Sequence, residues 1–505
     1  MKKKKKFIYI GLCFVLIIAV GLVVYFSCFK EKDLVKINGK NVNNYILNVD
    51  FNNETKTLDI QQETSYINLL GDVALKTLNF HNYTKAFCQD VINKCVSSLN
   101  ENKAYYNGIN YATFELKKTF LNGEEVNPNF LNSDKDVISI DLKNELMPNK
   151  RANVKFEYSI KLPNINHRFG YGENTINLGN FFLIACVYDK NQGFFNNSYH
   201  YNGDPFYSDI SNFDVIFSCN SNLVVSSTGN VLKTTSKENR KTLHIQANAV
   251  RDFAMILSEK YKTLSGSIDG ITINYCYYND KNPEKSLQTS IDSIKTFNKI
   301  YGKYPYNVLN VCESDFVYGG MEYPNLVYIS GSIENYEDYT YTIVHEIAHQ
   351  WWYSVVGNNE YKYGFLDESL AEYSTYIFFD ENKNYNMDTE EMIKNTTNSY
   401  LLFLDVYKEV FSNVNTSMLR SLDEFNTEPE YTYMAYVKGT LMYSNLKQIV
   451  GKNKFYKSLK LYYKMYSFKN STPEDLISTF VKVCGKDMEG YFNSWLSGKV
   501  VIENL

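Results

Sequence analysis

The motif His345-Glu346-Ile347-Ala348-His349 constrains the fold of this chain more than any other feature. On a helix, residues four positions apart lie on the same face, one turn from each other, so His345 and His349 can bind one metal ion together. Glu346 lies beside them, off the ligand row, where it can reach a water molecule at the metal. The motif therefore predicts a helix that carries a metal site.

A third ligand follows in the sequence. Eighteen residues separate His349 from Glu368, which begins a second helical pattern over residues 368–373. Two imidazoles and one carboxylate leave a coordination position open, which is typical of catalytic and not of structural zinc. We therefore expect one Zn²⁺ ion bound by His345, His349 and Glu368, with Glu346 as the general base that takes a proton from water and passes it to the leaving amine.

Three further motifs accompany this one. Residues 318–324 read Tyr-Gly-Gly-Met-Glu-Tyr-Pro, residues 366–371 read Leu-Asp-Glu-Ser-Leu-Ala, and residues 436–439 read Tyr-Val-Lys-Gly. They are similar to the Gly-x-Met-Glu-Asn, Leu-Asn-Glu-Gly-Phe-Ala and Tyr-x-Lys-Gly motifs of the zinc aminopeptidases typified by aminopeptidase N and leukotriene hydrolase, a family of gluzincin metallopeptidases. The motifs also follow the family's order, so the chain resembles this family over roughly residues 150–500.

The resemblance implies roles for five more residues. The family's motif glutamate holds the free α-ammonium group of a peptide substrate, and Glu322 matches it. Gly319, Gly320 and Met321 precede it, and the two glycines would let the backbone pass close to the substrate. Tyr436 would donate a hydrogen bond to the oxyanion that forms on the scissile carbonyl. The implied activity is zinc-dependent removal of N-terminal residues from peptides.

The chain also departs from the family pattern. Tyr323 and Pro324 replace the family's asparagine, so substrate preference is not carried over by the resemblance. A histidine bound to metal usually donates its other N–H group to an acceptor nearby, and Glu372, four residues after Glu368, is on the right helix face to accept it. Thr375 stands where many relatives have an acidic residue.

The N-terminus predicts a membrane anchor. Lys2–Lys6 form a basic run, and residues 7–29 are almost entirely apolar and carry no charge. This run is long enough to span a bilayer of about 30 Å as a helix, whereas the apolar core of a cleaved signal peptide is usually about 7–15 residues long. By the positive-inside rule the lysines stay in the cytoplasm. We therefore expect a single-pass protein of the cell membrane with its catalytic part outside.

The remaining 475 or so residues exceed one hydrophobic core, so we expect more than one domain. Strict alternation over residues 154–162 is typical of half-buried strands, and similar patterns predict a β-rich domain over residues 31–260. Helical patterns become frequent after residue 261, including a metal-motif helix over about 338–355, and they define a catalytic domain over residues 261–505. One stretch within the first domain, about 70–105, is expected to be helical. By resemblance the first domain is saddle-like, and the second is thermolysin-like α/β followed by helices.

Charge and cysteine content exclude other classes of protein. The net charge of −4 over 505 residues argues against nucleic-acid binding, which needs a basic face. Seven cysteines beyond the apolar N-terminal run are scattered without paired spacing, so we expect buried free thiols and no disulfide framework. The sequence contains no indication of the oligomeric state.

Three alternatives to an aminopeptidase stay open at this point. A zinc endopeptidase would share the metal motif, although Glu322 and Tyr436 argue against it. A surface protein could keep the peptidase fold for binding alone, although the ligands and the base are all present. An epoxide hydrolase, as in one branch of the family, is also compatible with the motifs.

Overall fold

A computed structural model describes residues 41–412, 414–500 and 502 of the chain. The predicted membrane anchor at residues 7–29 lies outside the described residues. Within those ranges, no helix is both long enough and apolar enough to cross a bilayer.

The first half of the described chain is built of β-strands, as its alternating sequence predicts. Along Arg151–Lys161, every second residue is buried, because successive side chains of a strand point to opposite faces of the sheet. The strands of this half are β1 Asn43–Asn52, β2 Thr57–Ile67, β3 Leu75–His81, β4 Thr113–Leu121, β5 Glu124–Glu125, β6 Asn129–Leu131, β7 Val137–Leu146, β8 Arg151–Lys161, β9 Phe169–Tyr171, β10 Ile176–Leu178, β11 Ile184–Ala185, β12 Tyr188–Asp189, β13 Gly193–Phe194, β14 Ser211–Asn220, β15 Val224–Ser227, β16 Asn230–Lys237, β17 Arg240–Val250 and β18 Met255–Ser258.

An eight-stranded sheet in the order β16-β17-β14-β1-β2-β8-β4-β5 forms the body of this half. Within this sheet, β1 and β14 run parallel and the other neighbours run antiparallel. Two four-stranded sheets, β15-β18-β10-β9 and β11-β3-β7-β6, accompany it. Side chains between these sheets make a continuous apolar core.

The second half begins with a five-stranded sheet and continues in helices. The sheet has the order β19-β20-β21-β23-β22, in which β20, β21 and β23 are parallel. Its strands are β19 Lys262–Ile268, β20 Ile271–Tyr277, β21 Val308–Ser314, β22 Gly320–Met321 and β23 Leu326–Ser330, and a short pair, β24 Val356–Gly357 and β25 Lys469–Asn470, lies apart. The helices of the described chain are α1 Glu101–Ala104, α2 Pro283–Ile300, α3 Tyr336–Ala348, α4 Glu360–Tyr363, α5 Phe365–Glu381, α6 Thr389–Phe411, α7 Glu428–Thr432, α8 Lys438–Val450, α9 Lys452–Tyr466, α10 Pro473–Cys484 and α11 Asp487–Leu496.

The five-stranded sheet joins the two halves, because each of its faces belongs to a different core. Along β23, Leu326 and Tyr328 pack in the core of the β-rich half. Val327 and Ile329, which point the other way, pack against α3 and the helices behind it. A sheet buried on both faces holds the β-rich half and the helical half in a fixed relation.

The metal-motif helix α3 is shorter than the sequence predicts. It begins where the side chain of Asn335 accepts a hydrogen bond from the Glu337 backbone N–H, and it ends at Ala348 instead of continuing to about residue 355. The chain then turns back, with Tyr353 in the positive-φ region at 131°. This turn leaves the Trp352 carbonyl free to face the His349 ring, whereas a longer helix would use that carbonyl in its own hydrogen bonds.

The prediction of a helix over about 70–105 is wrong. The stretch contains strand β3, a 3₁₀ turn at Tyr83–Phe87 and the single helical turn α1. Apolar residues over a short run do not distinguish a strand from a helix, and here antiparallel pairing of β3 with β7 decides the outcome.

The expected free thiols are confirmed, since the seven cysteines from Cys88 to Cys484 are unpaired and all but Cys484 are buried.

Candidate metal centre and substrate cleft

Three side chains from two helices converge on one point. The last turn of α3 presents His345, and His349 follows as its C-cap, with the two Nε2 atoms 3.2 Å apart. Glu368, in the first turn of α5, places Oε2 3.5 Å from His345 Nε2 and 3.2 Å from His349 Nε2. All three residues are buried.

The arrangement fits a zinc ion. Ligand atoms bound tetrahedrally at zinc–nitrogen and zinc–oxygen distances of about 2.0–2.2 Å lie about 3.3–3.6 Å from each other, close to the separations found here. Glu368 Oε2 is buried without a hydrogen-bond donor among the described residues, which is costly unless a cation binds it. The residues present therefore fit the implied metal.

Both imidazoles have an acceptor close to the nitrogen that faces away from the metal site. His349 Nδ1 lies 2.9 Å from the Trp352 carbonyl oxygen, so it donates there and leaves Nε2 for the metal. His345 Nδ1 lies 2.9 Å from Oε2 of Glu372, which the sequence identified as a candidate for this role. The Tyr341 hydroxyl donates to the other oxygen of Glu372, which fixes that carboxylate in turn.

Glu346 lies against the cleft with little room around it. It is 5% exposed, and its Oε2 atom has no donor among the described residues. Burial raises its pKa to about 7, the range suited to a group that takes and returns a proton at neutral pH. A Cβ atom on Gly320 would lie 2.4 Å from Glu346 Oε1, so only glycine at position 320 leaves space for this carboxylate.

Tyr436 lies in a π-helical turn, Tyr433–Val437, between α7 and α8. Its hydroxyl donates to Glu368 Oε1 at 2.5 Å, and its ring lies parallel to that of His345 with centroids 6.0 Å apart. Ser369 Oγ donates to the Ala435 carbonyl within this turn. Widened turns of this kind often occur at functional sites. This one brings the Tyr436 hydroxyl to the metal ligands.

Glu322 lies deeper, beside an acid from the β-rich half. Carboxylate oxygens of Glu322, Asp204 and Glu368 lie within 4.8 Å of one another. Burial, followed by the charge of Asp204, raises the pKa of Glu322 well above its usual range, and Glu322 Oε1 has no donor among the described residues. Asp204 forms an ion pair with the buried guanidinium of Arg168. The negative charge of the two acids therefore exceeds the positive charge that Arg168 provides.

These groups line one cleft of about 250 Å³ between the β-rich half and the helical half. Gly319, Gly320 and Glu322 are part of its lining, together with the metal ligands, Glu346 and Tyr436. Met321 is not, because its side chain is 1% exposed and packs in the core of the β-rich half. Of the residues that the sequence singled out, the structure brings together all except Met321.

Sequence reasoning did not identify Asp204 and Arg168. Residues 203–205 read Gly-Asp-Pro, a pattern that predicts a turn and by itself indicates no function. Asp204 lies more than a hundred residues before Glu322, so only the folded chain places them together. An acidic residue between a glycine and a proline was the one available indication.

Comparisons with known proteins agree with this geometry. Residues 285–495 match the family model described as the peptidase family M1 domain. Aminopeptidase M1-B of Oryza sativa subsp. japonica is 23% identical over 356 residues, 62% of this chain and 39% of that protein. Aminopeptidase N of Lactococcus lactis subsp. lactis (strain IL1403) is 24% identical over 230 residues, 42% of this chain and 26% of that protein. The chain thus spans well under half the length of these relatives.

The fold also matches solved structures over most of the chain. The M1 zinc metallopeptidase from Deinococcus radiodurans superimposes with a TM-score of 0.65 at 15% identity, over 92% of this chain and 96% of that one. A mutant of the same enzyme bound to a Tyr-Ser-Ala substrate gives 0.64 at 14% identity. The shared fold is a β-rich N-terminal part followed by a helical C-terminal part, which confirms the predicted order of the two. The resemblance seen in the motifs is confirmed, with a peptidase family M1 domain recognised over residues 285–495.

Proposed function

We propose that this chain is a zinc aminopeptidase, which removes residues one at a time from the free N-terminus of peptides. His345, His349 and Glu368 would hold the zinc ion. When bound there, zinc supplies a Lewis acid that makes water more acidic and polarises a carbonyl group. The rest of the reaction depends on residues of the chain.

Glu346 would accept a proton from the attacking water and return it to the leaving amine. Its burial supports this role, because a carboxylate whose pKa is near 7 both takes and gives a proton readily. Tyr436 would turn its hydroxyl from Glu368 to the oxyanion that forms at the scissile carbonyl. The two groups therefore divide proton transfer and charge stabilisation between them.

The observation that supports an exopeptidase is the buried carboxylate of Glu322, with the half-buried Asp204 beside it, close to the metal ligands. A buried carboxylate is stable only when a cation or several donors accompany it. Glu322 lacks a donor on Oε1, and the one guanidinium nearby, Arg168, is paired with Asp204. The α-ammonium of a peptide supplies the missing charge, and binding it there holds the first peptide bond at the metal.

The experiment compares peptides with a free and an acetylated N-terminus, using the full chain loaded with zinc. We expect cleavage of the free peptide after its first residue and at least a hundredfold slower cleavage of the acetylated peptide. Equal cleavage of both would indicate the endopeptidase alternative. A protein that binds zinc stoichiometrically but turns over neither peptide would indicate the binding-only alternative.

We also propose that residues 7–29 anchor the protein in the cell membrane with the cleft outside. The support is the length of this uncharged apolar run and the lysines before it. Protease added to intact cells should release the catalytic part, and a carbonate wash should leave the uncut chain in the membrane fraction. Recovery in the soluble fraction after lysis would contradict the proposal.

A further inference from the structure

The cleft contains more negative charge than the proposed reaction needs. Six acids line it: Asp204, Glu322, Glu346, Glu368, Glu372 and Glu428. Among the lining residues, all of them in the described part of the chain, Arg168 is the single Lys or Arg side chain, and Asp204 already pairs with it. Five of the six acids have a role in the proposed function: they bind the metal, lie beside its histidine ligands, transfer the proton or bind the substrate ammonium. Glu428 has no part in any of these.

Glu428 is the first residue of α7 and is half-buried. Its Oε2 atom accepts hydrogen bonds from Ser97 Oγ at 2.7 Å and from Asn100 Nδ2 at 3.0 Å. Within the described residues no donor reaches Oε1, and no Lys, Arg or His forms an ion pair with this carboxylate. Two neutral donors from the β-rich half thus hold the side chain in place and leave its charge uncompensated.

Aromatic side chains line the cleft together with Glu428 and the metal ligands. Tyr431 follows it by one turn of α7, and its ring stands perpendicular to that of Tyr436 with centroids 5.9 Å apart. Tyr431 packs closely against the backbone at Gly203 and Gly364, since a Cβ atom on either would lie within 2.8 Å of its ring or hydroxyl. Glu428 therefore lies about one helical turn, roughly 5 Å of axial rise, from this closely packed aromatic ring.

A second tyrosine, Tyr318, lines the cleft near Glu428. The hydroxyl of Tyr318 is buried and has no hydrogen-bond partner among the described residues. Burial raises the pKa of Tyr318 well above its usual range, and the charge of Glu428 adds to this rise. The phenol hydroxyl therefore stays protonated, so it can accept a hydrogen bond from a cationic group that also reaches Glu428.

We propose that Glu428 makes the cleft select peptides whose N-terminal residue is lysine or arginine. This inference rests on the proposed aminopeptidase function and adds the substrate class to it. The alkyl stem of the side chain would lie along Tyr431 and Tyr318, and its charged end would pair with Glu428 at the half-exposed rim. Selection arises because a neutral side chain leaves the acid uncompensated.

The test uses matched aminoacyl-coumarin substrates with the zinc-loaded full chain. Arginine and citrulline have nearly the same shape, but citrulline is neutral, and lysine and norleucine form a similar pair. We expect kcat/KM to be at least about tenfold higher for arginine than for citrulline, and this ratio to fall as salt screens the pairing. In Glu428→Gln, which keeps an acceptor for Ser97 and Asn100, the ratio should fall to about one.

A control variant, Glu409→Gln, changes the net charge equally at an exposed position on α6 outside the cleft lining, and it should keep the wild-type ratio. Equal rates for arginine and citrulline in the wild type, or a preference for phenylalanine over both, would overturn the inference and leave the aminopeptidase assignment standing. Absence of turnover for every aminoacyl substrate would overturn the proposed function instead. The wild-type comparison decides the matter even if the Glu428 variant is unstable.

Discussion

Ser369 Oγ donates a hydrogen bond of 2.5 Å to the carbonyl oxygen of Ala435. Ser369 directly follows the ligand Glu368, and Ala435 directly precedes Tyr436 in the π-helical turn. Gly439, one turn further on, fits against the same serine, since a Cβ atom there would lie 1.9 Å from Ser369 Oγ. One hydroxyl thereby ties the segment that carries Glu368 to the segment that carries Tyr436.

Replacing Ser369 with alanine should slow catalysis more than it weakens substrate binding. Loss of the hydrogen bond frees the Ala435 carbonyl and lets Tyr436 drift from its position. We expect a roughly three- to tenfold fall in kcat with KM and zinc content little changed. Ser458→Ala is the control, because Ser458 is equally buried and bonded to a backbone carbonyl far from the cleft. An equal fall in kcat of Ser458→Ala would show that the effect comes from lower overall stability.

Glu346→Gln should keep zinc and lose turnover. The amide has nearly the same shape but does not accept the proton, so kcat should fall about 10²–10⁴-fold. Metal content measured by mass spectrometry should stay at one zinc per chain. Glu337→Gln, an exposed change on the same helix, should be as active as the wild type. A Glu346 variant with full zinc and near-normal kcat would assign the base to another residue.

Glu322→Gln should affect free-amine substrates most strongly. Removing one partner of a buried charge pair costs about 3–5 kcal/mol, so kcat/KM should fall at least about a hundredfold. Residual cleavage of acetylated peptides should not change. Glu360→Gln serves as the control, because Glu360 is equally buried but does not line the cleft. An equal loss in both variants would point to a structural role for Glu322.

Removing zinc should abolish activity, and the affinity of the chain for zinc should rise with pH. Burial lowers the pKa of His349, but Glu322 and Glu368 outweigh it and raise that pKa to about 10. Protons therefore compete with zinc for the nitrogen at neutral pH, and binding releases them. Each proton released changes the apparent affinity about tenfold per pH unit, which competition with a chelator of known affinity measures. Activity that survives with no metal detectable would contradict the zinc mechanism.

His81, in β3, should make the fold sensitive to acid. Burial lowers its pKa from 6.5 to about 4. Because the folded state favours the neutral imidazole, His81 makes its full contribution to the free energy of unfolding above pH 6.5. This contribution is lost as pH falls from 6.5 to 4. The loss amounts to about 3 kcal/mol. In His81→Phe, denaturant unfolding at pH 7 and pH 4.5 should differ less than in the wild type; equal pH dependence of the two would contradict this origin.

The clustering of His345, His349, Glu346 and Glu368 was predictable because their geometry is local: a helical spacing at the end of α3, and the start of α5 nearby. The end of α3 was not, since it depends on the Trp352 carbonyl turning to His349. The strand β3 was missed because its identity comes from pairing with β7, about 60 residues away. Asp204 was missed for the same reason, as its contact with Glu322 exists only when both halves of the chain are folded.

The cleft lies between the two halves of the chain. The part of the chain that forms the site is therefore larger than the segment that matches the family model. The matching family model begins at residue 285, but Arg168, Asp204 and the residues that hold Glu428 all precede it. Substitutions in the β-rich half should therefore alter which peptides are cleaved without touching the metal. Diversity of substrates among chains with the same zinc motif can then arise in the half that lies outside the matching family model.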